Sequence, residues 1–342
     1  MKTKKIIIKT INQKYPIIIG KNIIDNLSSI LDKNFIKFEK CLIIIDKNVP
    51  NKMISKIRRS LINKKVYYFI FNANEKNKSQ KKINQILKIL LDKNFSREDC
   101  LITVGGGITG DVGGFAASLF KRGLKFVNIP TTLLAQVDSS IGGKTGVNTK
   151  HGKNLIGSFY QPKIVVSDLN FLNSLKKREM ICGYGEILKH SLISNKNFFF
   201  FLNKNLTNIL EINSYYTQKA IHESCLIKKR IVEKDEKEKH LRKILNLGHT
   251  FAHAYEASLK YSKKLNHGEA VLLGIFSAVK FSYEINLLNL KEYNLISNHL
   301  KNSKLPSNIN NYFSPKNINN ILSFMTKDKK NNSDKINLIL LK

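Results

Sequence analysis

Apolar residues in the first half of this chain come in short runs broken by turn residues, and between the runs they recur at helical spacing. The runs at 5–9, 17–19, 41–45, 66–71, 100–104 and 126–129 are rich in β-branched and apolar residues and predict strands. Residues 22–31, 51–61 and 79–91 place apolar side chains on one face of a helix. This alternation predicts an α/β domain with a Rossmann-like, parallel-rich sheet covered by helices. From about residue 170 the pattern changes to long helical periods at 178–193, 198–210, 213–233, 247–259 and 269–285, followed by the strand-like INLILL. The expected division is therefore 1–170, α/β, and 171–342, mainly α-helical. No internal repeat is seen, and no Pro-, Gly- or Ser-rich linker marks the boundary.

Two glycine-rich stretches directly follow predicted strands. GGGITGDVGGFAASLF comes after 100–104, with Gly105, Gly107 and Gly110 on a G-x-G-x-x-G spacing and a helical pattern from Gly110 onward. Strand, glycine turn and helix start together make a cradle for a pyrophosphate, since backbone N–H groups and the positive end of the helix dipole face the ligand. The acid usual about 20 residues further on is missing, because that region reads VNIPTTLL. Asp46, ending the predicted strand CLIIID, becomes the candidate for a nucleotide ribose. The second stretch, PTTLLAQVDSSIGGKTGVN at 130–148, is polar and cannot form core. Its glycines let backbone approach a ligand, and its hydroxyls and Lys144 supply donors for an anion.

The helical half carries metal-type chemistry. GYGEILKH places Glu186, Lys189 and His190 on a helix, LNLGHTFAHAYE places His249 and His253 at i and i+4, and LNHGEA adds His267 just before another helix. Histidine and carboxylate suit zinc, with three protein ligands leaving a position for substrate. Spacing alone selects His249 and His253 as the ligand pair.

Composition removes some alternatives. A formal charge of +33 suits nucleic acid or an anionic membrane, but here lysine accompanies asparagine and isoleucine along the whole chain and arginine is sparse. A nucleic-acid module concentrates Arg and aromatics on one element, so compositional drift is the expected cause and no nucleic-acid partner is expected. No stretch reaches the ~18 apolar residues of a membrane span, and no membrane partner is expected. Cys41, Cys100, Cys182 and Cys225 lie far apart without a C-x-x-C, which argues against a disulfide framework or thiolate zinc site and for a reducing, cytoplasmic setting.

Taken together, GGGITGDVGGFAA, FKRGLKFVNIPTTLLAQVDSSIGGKTGVN, GKNLIGSFYQP, the GEILKH block, LRKILNLGHTFAHAYE, LNHGEAV and TKDKKN resemble the 3-dehydroquinate synthase family of the shikimate pathway, in the family's order over roughly residues 46 to 330. The resemblance implies conversion of 3-deoxy-D-arabino-heptulosonate 7-phosphate to 3-dehydroquinate and phosphate. NAD would be a catalytic cofactor, alongside one divalent metal, zinc or cobalt. Transient oxidation of a hydroxyl acidifies the neighbouring proton, which the substrate's own phosphate can accept. Phosphate then leaves, the ketone is reduced, the ring opens and an intramolecular aldol closes the carbocycle. Carried over residue by residue, the resemblance implies that Glu186, His249 and His267 bind the metal, which leaves His253 as a substrate-side group. It makes Lys144, Asn154, Lys228, Arg242 and Asn246 substrate contacts, with Arg122, Asp138 and Lys329 completing the pocket. The implied NAD shell comprises Asp46, Glu75, Lys78, Gly106, Gly107, Asp111, Thr131, Thr132, Lys144 and Lys153, with Phe171 and Ser174 near the adenine.

On this basis the 130–148 run is expected at the seam of the two domains, Thr131 and Thr132 toward the cofactor and Asp138 and Lys144 toward the substrate. His190 and Cys182 carry no implied role. A homodimer is implied as well. The alternatives are a related sugar-phosphate cyclase of the inosose synthase type, a metal-dependent polyol dehydrogenase, or, in another class, a basic scaffold. Three departures from the family pattern stand out. ANEKNKS keeps Glu75 and Lys78 but loses the family's Asp, Gly and Tyr; Ser174 replaces a threonine and Lys176 a proline; and the chain stops at Lys342, where relatives continue through another helix.

Overall fold

The structure is a computed structural model and describes residues 2–303, 305–326 and 336–342. Its strands are β1 (Lys4–Lys9), β2 (Lys14–Gly20), β3 (Lys40–Asp46), β4 (Lys65–Phe71), β5 (Cys100–Gly105), β6 (Lys125–Pro130), β7 (Lys144–Thr149), β8 (Gly152–Phe159) and β9 (Ile164–Asp168). The α-helices are α1 (Leu27–Lys33), α2 (Asn51–Ser60), α3 (Gln80–Asp92), α4 (Gly107–Leu119), α5 (Lys177–Ser194), α6 (Lys196–Leu210), α7 (Ser214–Lys234), α8 (His249–Ser258), α9 (His267–Glu284), α10 (Leu290–Asn302) and α11 (Ile318–Thr326). Met1–Lys176 with Ile212–Lys237 forms one compact unit, and Lys177–Glu211 with Glu238–Lys342 the other.

The first unit is built on a seven-stranded sheet of order β1-β2-β9-β6-β5-β3-β4. β1 and β2 pair antiparallel, and every other neighbouring pair is parallel. Its inner strands are apolar runs because helices cover both faces. Along β3 the side chains alternate. Ile43 and Ile45 meet Leu27 and Leu31 of α1 and Met53 and Ile57 of α2, whereas Leu42 and Ile44 meet Ile83 and Ile86 of α3 and Val112 and Phe115 of α4. The chain leaves β3 for β4 on one side and then crosses to β5, β6 and β9 on the other. Strand order therefore reverses between β3 and β5, and a parallel sheet opens a ligand crevice beyond the carboxyl ends of the strands at such a point.

All six expected strands form. The sequence pattern missed β9 and the antiparallel hairpin of β7 and β8. The 130–148 run, expected to be polar and unable to form core, does contribute to it: Leu133, Val137, Ile141 and Val147 are buried, and the run holds a π-helical turn at Ala135–Ser139 before entering β7. INLILL forms no strand among the described residues, and the Leu341 N–H donates to Ser282 Oγ at 3.2 Å.

The second unit is helical, with α5 and α8 both against α9 and α11 against α8. A single cut after residue 170 would put α7 there too, but α7 packs on β1, β2 and the 135–139 turn. Side chains explain why. Gln218 Nε2 donates to the Ile19 carbonyl at 3.1 Å and Cys225 Sγ to the Gln136 carbonyl at 3.4 Å, so backbone acceptors at the sheet's margin hold this helix. No described helix is long and apolar enough to cross a membrane.

Asp168, fully buried at the end of β9, ties the sheet to its surroundings. Its carboxylate accepts the N–H groups of Ile24 at 2.9 Å, Asn170 at 2.9 Å and Asn22 at 3.2 Å, while its carbonyl accepts Gln136 Nε2 at 3.1 Å. Burial raises its pKa above the usual carboxylate value, and the three backbone donors oppose that rise. Asp168→Ala strands those N–H groups, so urea denaturation is expected to show an unfolding free energy lower by about 1–3 kcal/mol with an unchanged slope.

Candidate functional site

In the first unit the site grows from the sheet's carboxyl edge. β5 ends at Gly105, Gly106 caps α4, and Asp46 closes β3 next door, accepting the Asn48 N–H at 3.0 Å. Strand, glycine turn and helix thus follow one another in the expected order, though the helix begins at Gly107 and not at the expected Gly110. A Cβ added at Gly107 would lie 2.9 Å from Ser139 Oγ, and one at Gly106 3.2 Å from Thr132 Cγ2. Glycine there lets the start of α4 and the 130–148 run pack closely, and a helix start kept free of side chains is of the kind that meets a pyrophosphate through its backbone N–H groups. The Thr131 N–H is used by the Gly105 carbonyl at 2.9 Å.

Lys78 is the joint of this region. Its buried ammonium donates to the Asp111 carboxylate and, at 2.5 Å, to Asn154 Oδ1. Burial pushes the Asp111 pKa up, and the Lys78 charge opposes this. Glu75 pairs with Lys153 at 3.1 Å and accepts Asn148 Nδ2 at 2.7 Å; burial raises its pKa, but Lys153, Asn148 and Lys78 outweigh it and leave the net value lowered. The altered ANEKNKS segment is thus bonded to the β7–β8 hairpin through both residues that it keeps. Lys228 of α7, also buried, donates to Asp138 Oδ1 at 2.5 Å and to the Asp138 carbonyl at 2.7 Å. Lys144 and Arg122 are exposed. The Phe171 side chain is fully buried in the core under the sheet, and Ser174 Oγ donates to the Phe171 carbonyl at 2.8 Å.

In the second unit, Glu186, His249 and His267 each bring one ligand atom within 4.8 Å of the others. Glu186 is buried inside α5, its Oε1 3.5 Å from His249 Nε2, with buried Lys189 against its other oxygen. His249 and His267 each open a helix. Gly248, at φ 76°, caps α8, and a Cβ at Gly274 of α9 would lie 2.1 Å from the Gly248 carbonyl oxygen. Only glycine lets these two backbones touch, and their contact brings α8 and α9 together. His249 Nδ1 lies 3.3 Å from the Leu247 carbonyl and His267 Nδ1 3.0 Å from Glu256 Oε2. Burial holds the His249 pKa well below 6.5, and Lys189, His267 and His253 push the same way, so its imidazole is neutral and able to coordinate. One carboxylate and two imidazoles, each imidazole with an oxygen acceptor near one nitrogen, fit a divalent ion with an open position.

The pair chosen by spacing alone is not the set of donors that lies closest together. His253 follows His249 by one turn, its ring 5.6 Å from that of His249 and 6.4 Å from that of His267, but the third donor of the group is His267. The i, i+4 rule finds neighbours on one helix; it is blind to α5 and α9, which supply the other donors. Arg242 is buried in the turn before α8, and Asn246 Nδ2 donates to Glu238 Oε1 at 3.0 Å. Lys329 lies outside the described residues. Sequence reasoning assigned no role to Lys189 or Glu256. Their signals were an ionic i, i+3 pair inside an apolar helix and a glutamate seven residues after His249, on the same face.

Residues 68–182 match the 3-dehydroquinate synthase N-terminal family and residues 183–331 the 3-dehydroquinate synthase C-terminal family. A 3-dehydroquinate synthase of Pelagibacter ubique (strain HTCC1062) is 62% identical over 338 residues, covering 99% of this chain and 92% of the relative. One from Coxiella burnetii (strain CbuK_Q154) is 40% identical over 342 residues, covering 100% and 93%. Among solved structures, a 2-deoxy-scyllo-inosose synthase complexed with carbaglucose-6-phosphate, NAD+ and Co2+ superimposes with a TM-score of 0.86 at 25% identity, over 99% of this chain and 92% of its own. With both halves matched, and at 62% identity against 25% for the inosose synthase, the chain belongs to the 3-dehydroquinate synthase family and is an enzyme, a carbon–oxygen lyase.

Proposed function

We propose that this chain performs its family's conversion of 3-deoxy-D-arabino-heptulosonate 7-phosphate to 3-dehydroquinate and phosphate with NAD in the crevice beside Asp46, Gly106 and Gly107, and one divalent ion, zinc or cobalt, on Glu186, His249 and His267. The observation that carries this reading is the convergence of those three donors within 4.8 Å from three different helices. When bound, the nucleotide supplies a transient hydride acceptor and the ion polarises the reacting oxygen.

The chain's own groups do the rest. Lys144, Lys228, Arg122 and Arg242 offer positive charge to the substrate's phosphate and carboxylate, and Asp138 holds the Lys228 ammonium in a fixed direction before substrate arrives. Burial strips water from Arg242, so its guanidinium meets an anion without first shedding a hydration shell. Asn154 and Asn246 supply amides to hydroxyls. His253, beside the ion ligands, holds or passes a proton at its imidazole. Glu75, Lys78, Asp111, Thr131, Thr132 and Lys153 line the nucleotide side. Phe171 serves there through its backbone, with Ser174, because its ring belongs to the core. Lys329 completes the pocket in this proposal.

A homodimer in a reducing, cytoplasmic setting is part of the same reading. It is supported by family resemblance and by free Cys41, Cys100, Cys182 and Cys225, and the dimer is measurable by sedimentation.

Supplied with NAD and zinc or cobalt, the purified chain is expected to release phosphate from the heptulosonate phosphate without accumulating NADH, and a chelator is expected to stop the release. Stoichiometric NADH without phosphate would establish the dehydrogenase alternative instead. His267→Ala is expected to lose the metal by elemental analysis. His253→Ala is expected to keep it while turnover falls by about 10²–10⁴-fold, the usual worth of a positioned proton-transfer group. Metal loss in the second variant and retention in the first would reverse the ligand assignment.

A further inference from the structure

We infer that Arg178 is a positioning residue that acts through Glu269 to hold the helices bearing Glu186 and His267 in the relation a metal ion needs, an inference that rests on the metal reading above. Two of the three donors sit on packed helices, Glu186 inside α5 and His267 at the first position of α9. Arg178 lies in the first turn of α5, eight residues before Glu186. Its Nε donates to Glu269 Oε1 and its Nη2 to Glu269 Oε2, each at 2.6 Å, and Nη2 also reaches the Lys264 carbonyl at 3.0 Å. Glu269 has a second task. Its Oε2 accepts the Asn266 N–H at 2.9 Å and its own N–H is accepted by Asn266 Oδ1 at 2.9 Å, the capping box that starts α9. One buried carboxylate thus joins the start of the His267 helix to the Glu186 helix, through a planar fork that fixes direction as well as distance.

The two helices touch along the same face of α5, where residues 178, 182 and 185 follow one another at helical spacing. Cys182 Sγ accepts the Gly268 N–H at 3.2 Å. A Cβ at Gly268 would lie 2.3 Å from Cys182 Cα, and one at Gly185 3.1 Å from the Gly268 carbonyl oxygen. Glycine permits that approach, and the Arg178 fork is the charged tie that aims it. Glu269 stands two residues after His267, so any shift of this end of α9 carries the imidazole with it. Removing Arg178 leaves the capping box in place, so α9 still begins at His267. What is lost is its tie to α5.

The test uses cobalt, whose visible spectrum reports the geometry of its ligands, with the full chain and its Arg178→Ala and Arg178→Lys variants. Competition with a chelator is expected to show cobalt affinity lower by about tenfold in Arg178→Ala, with a changed visible band. Arg178→Lys keeps the charge but not the fork, and it is expected to fall between the alanine variant and the unaltered chain in both readouts. A contribution to stability alone would lower the unfolding midpoint and leave the band where it is. An unchanged band in Arg178→Ala therefore overturns the inference, whatever the midpoint does. Should the alanine variant fail to fold, the band of the lysine variant decides in the same way. Failure of the unaltered chain to bind cobalt would instead strike at the Glu186–His249–His267 reading.

Discussion

A lysine can be buried only if its charge is answered, and this chain obeys that constraint at the places that matter most. It carries 58 lysines and arginines, yet the cations buried among the described residues are Lys78, Lys189, Lys228 and Arg242. Each of the three lysines rests on a carboxylate: Lys78 on Asp111, Lys189 on Glu186 and Lys228 on Asp138. An unpaired ammonium in such a position would cost several kcal/mol, so acid and base must be kept together. The large net charge is thus a property of the solvated surface, and the chemistry is concentrated in a few neutralised pairs.

Two backbone arrangements place the candidate ligand groups. In the first unit, parallel strands bring Asp46 and the start of α4 to one edge of the sheet, beside the point where strand order reverses. In the second, the glycine-to-glycine approach of α8 and α9 sets two helix starts side by side, and each start bears a histidine. In the first arrangement a helix amino terminus, with its unused N–H groups, faces the place where an anionic ligand is expected; in the second it is the histidine side chains, not the N–H groups, that suit a cation.

The resemblance to solved sugar-phosphate cyclases is compatible with how little of the chain is committed to any one role. At 25% identity the inosose synthase keeps a TM-score of 0.86, so the sheet and helices tolerate wide substitution as long as apolar faces are preserved. ANEKNKS illustrates this. It departs from the family pattern, but Glu75 and Lys78 still find Lys153, Asn148, Asp111 and Asn154. The two residues that the segment keeps are thus held by neighbours outside it.

By itself the sequence determined the α/β order, the expected strands, the glycine turn after β5 and the identity of the helices bearing Glu186, His249 and His267, because these depend on local periodicity and short spacing. It also made the family legible through its long motifs. Tertiary structure alone decided that α7 joins the sheet-bearing unit, that the 130–148 run splits into a π-turn and a strand, and that INLILL pairs with no strand among the described residues. It also brings a donor atom of His267 within 4.8 Å of Glu186 and His249, in a group that does not include His253. The reason is common to all four. Each depends on which distant backbone or side chain satisfies a hydrogen bond or fills a cavity, and pattern along one segment carries no information about that partner.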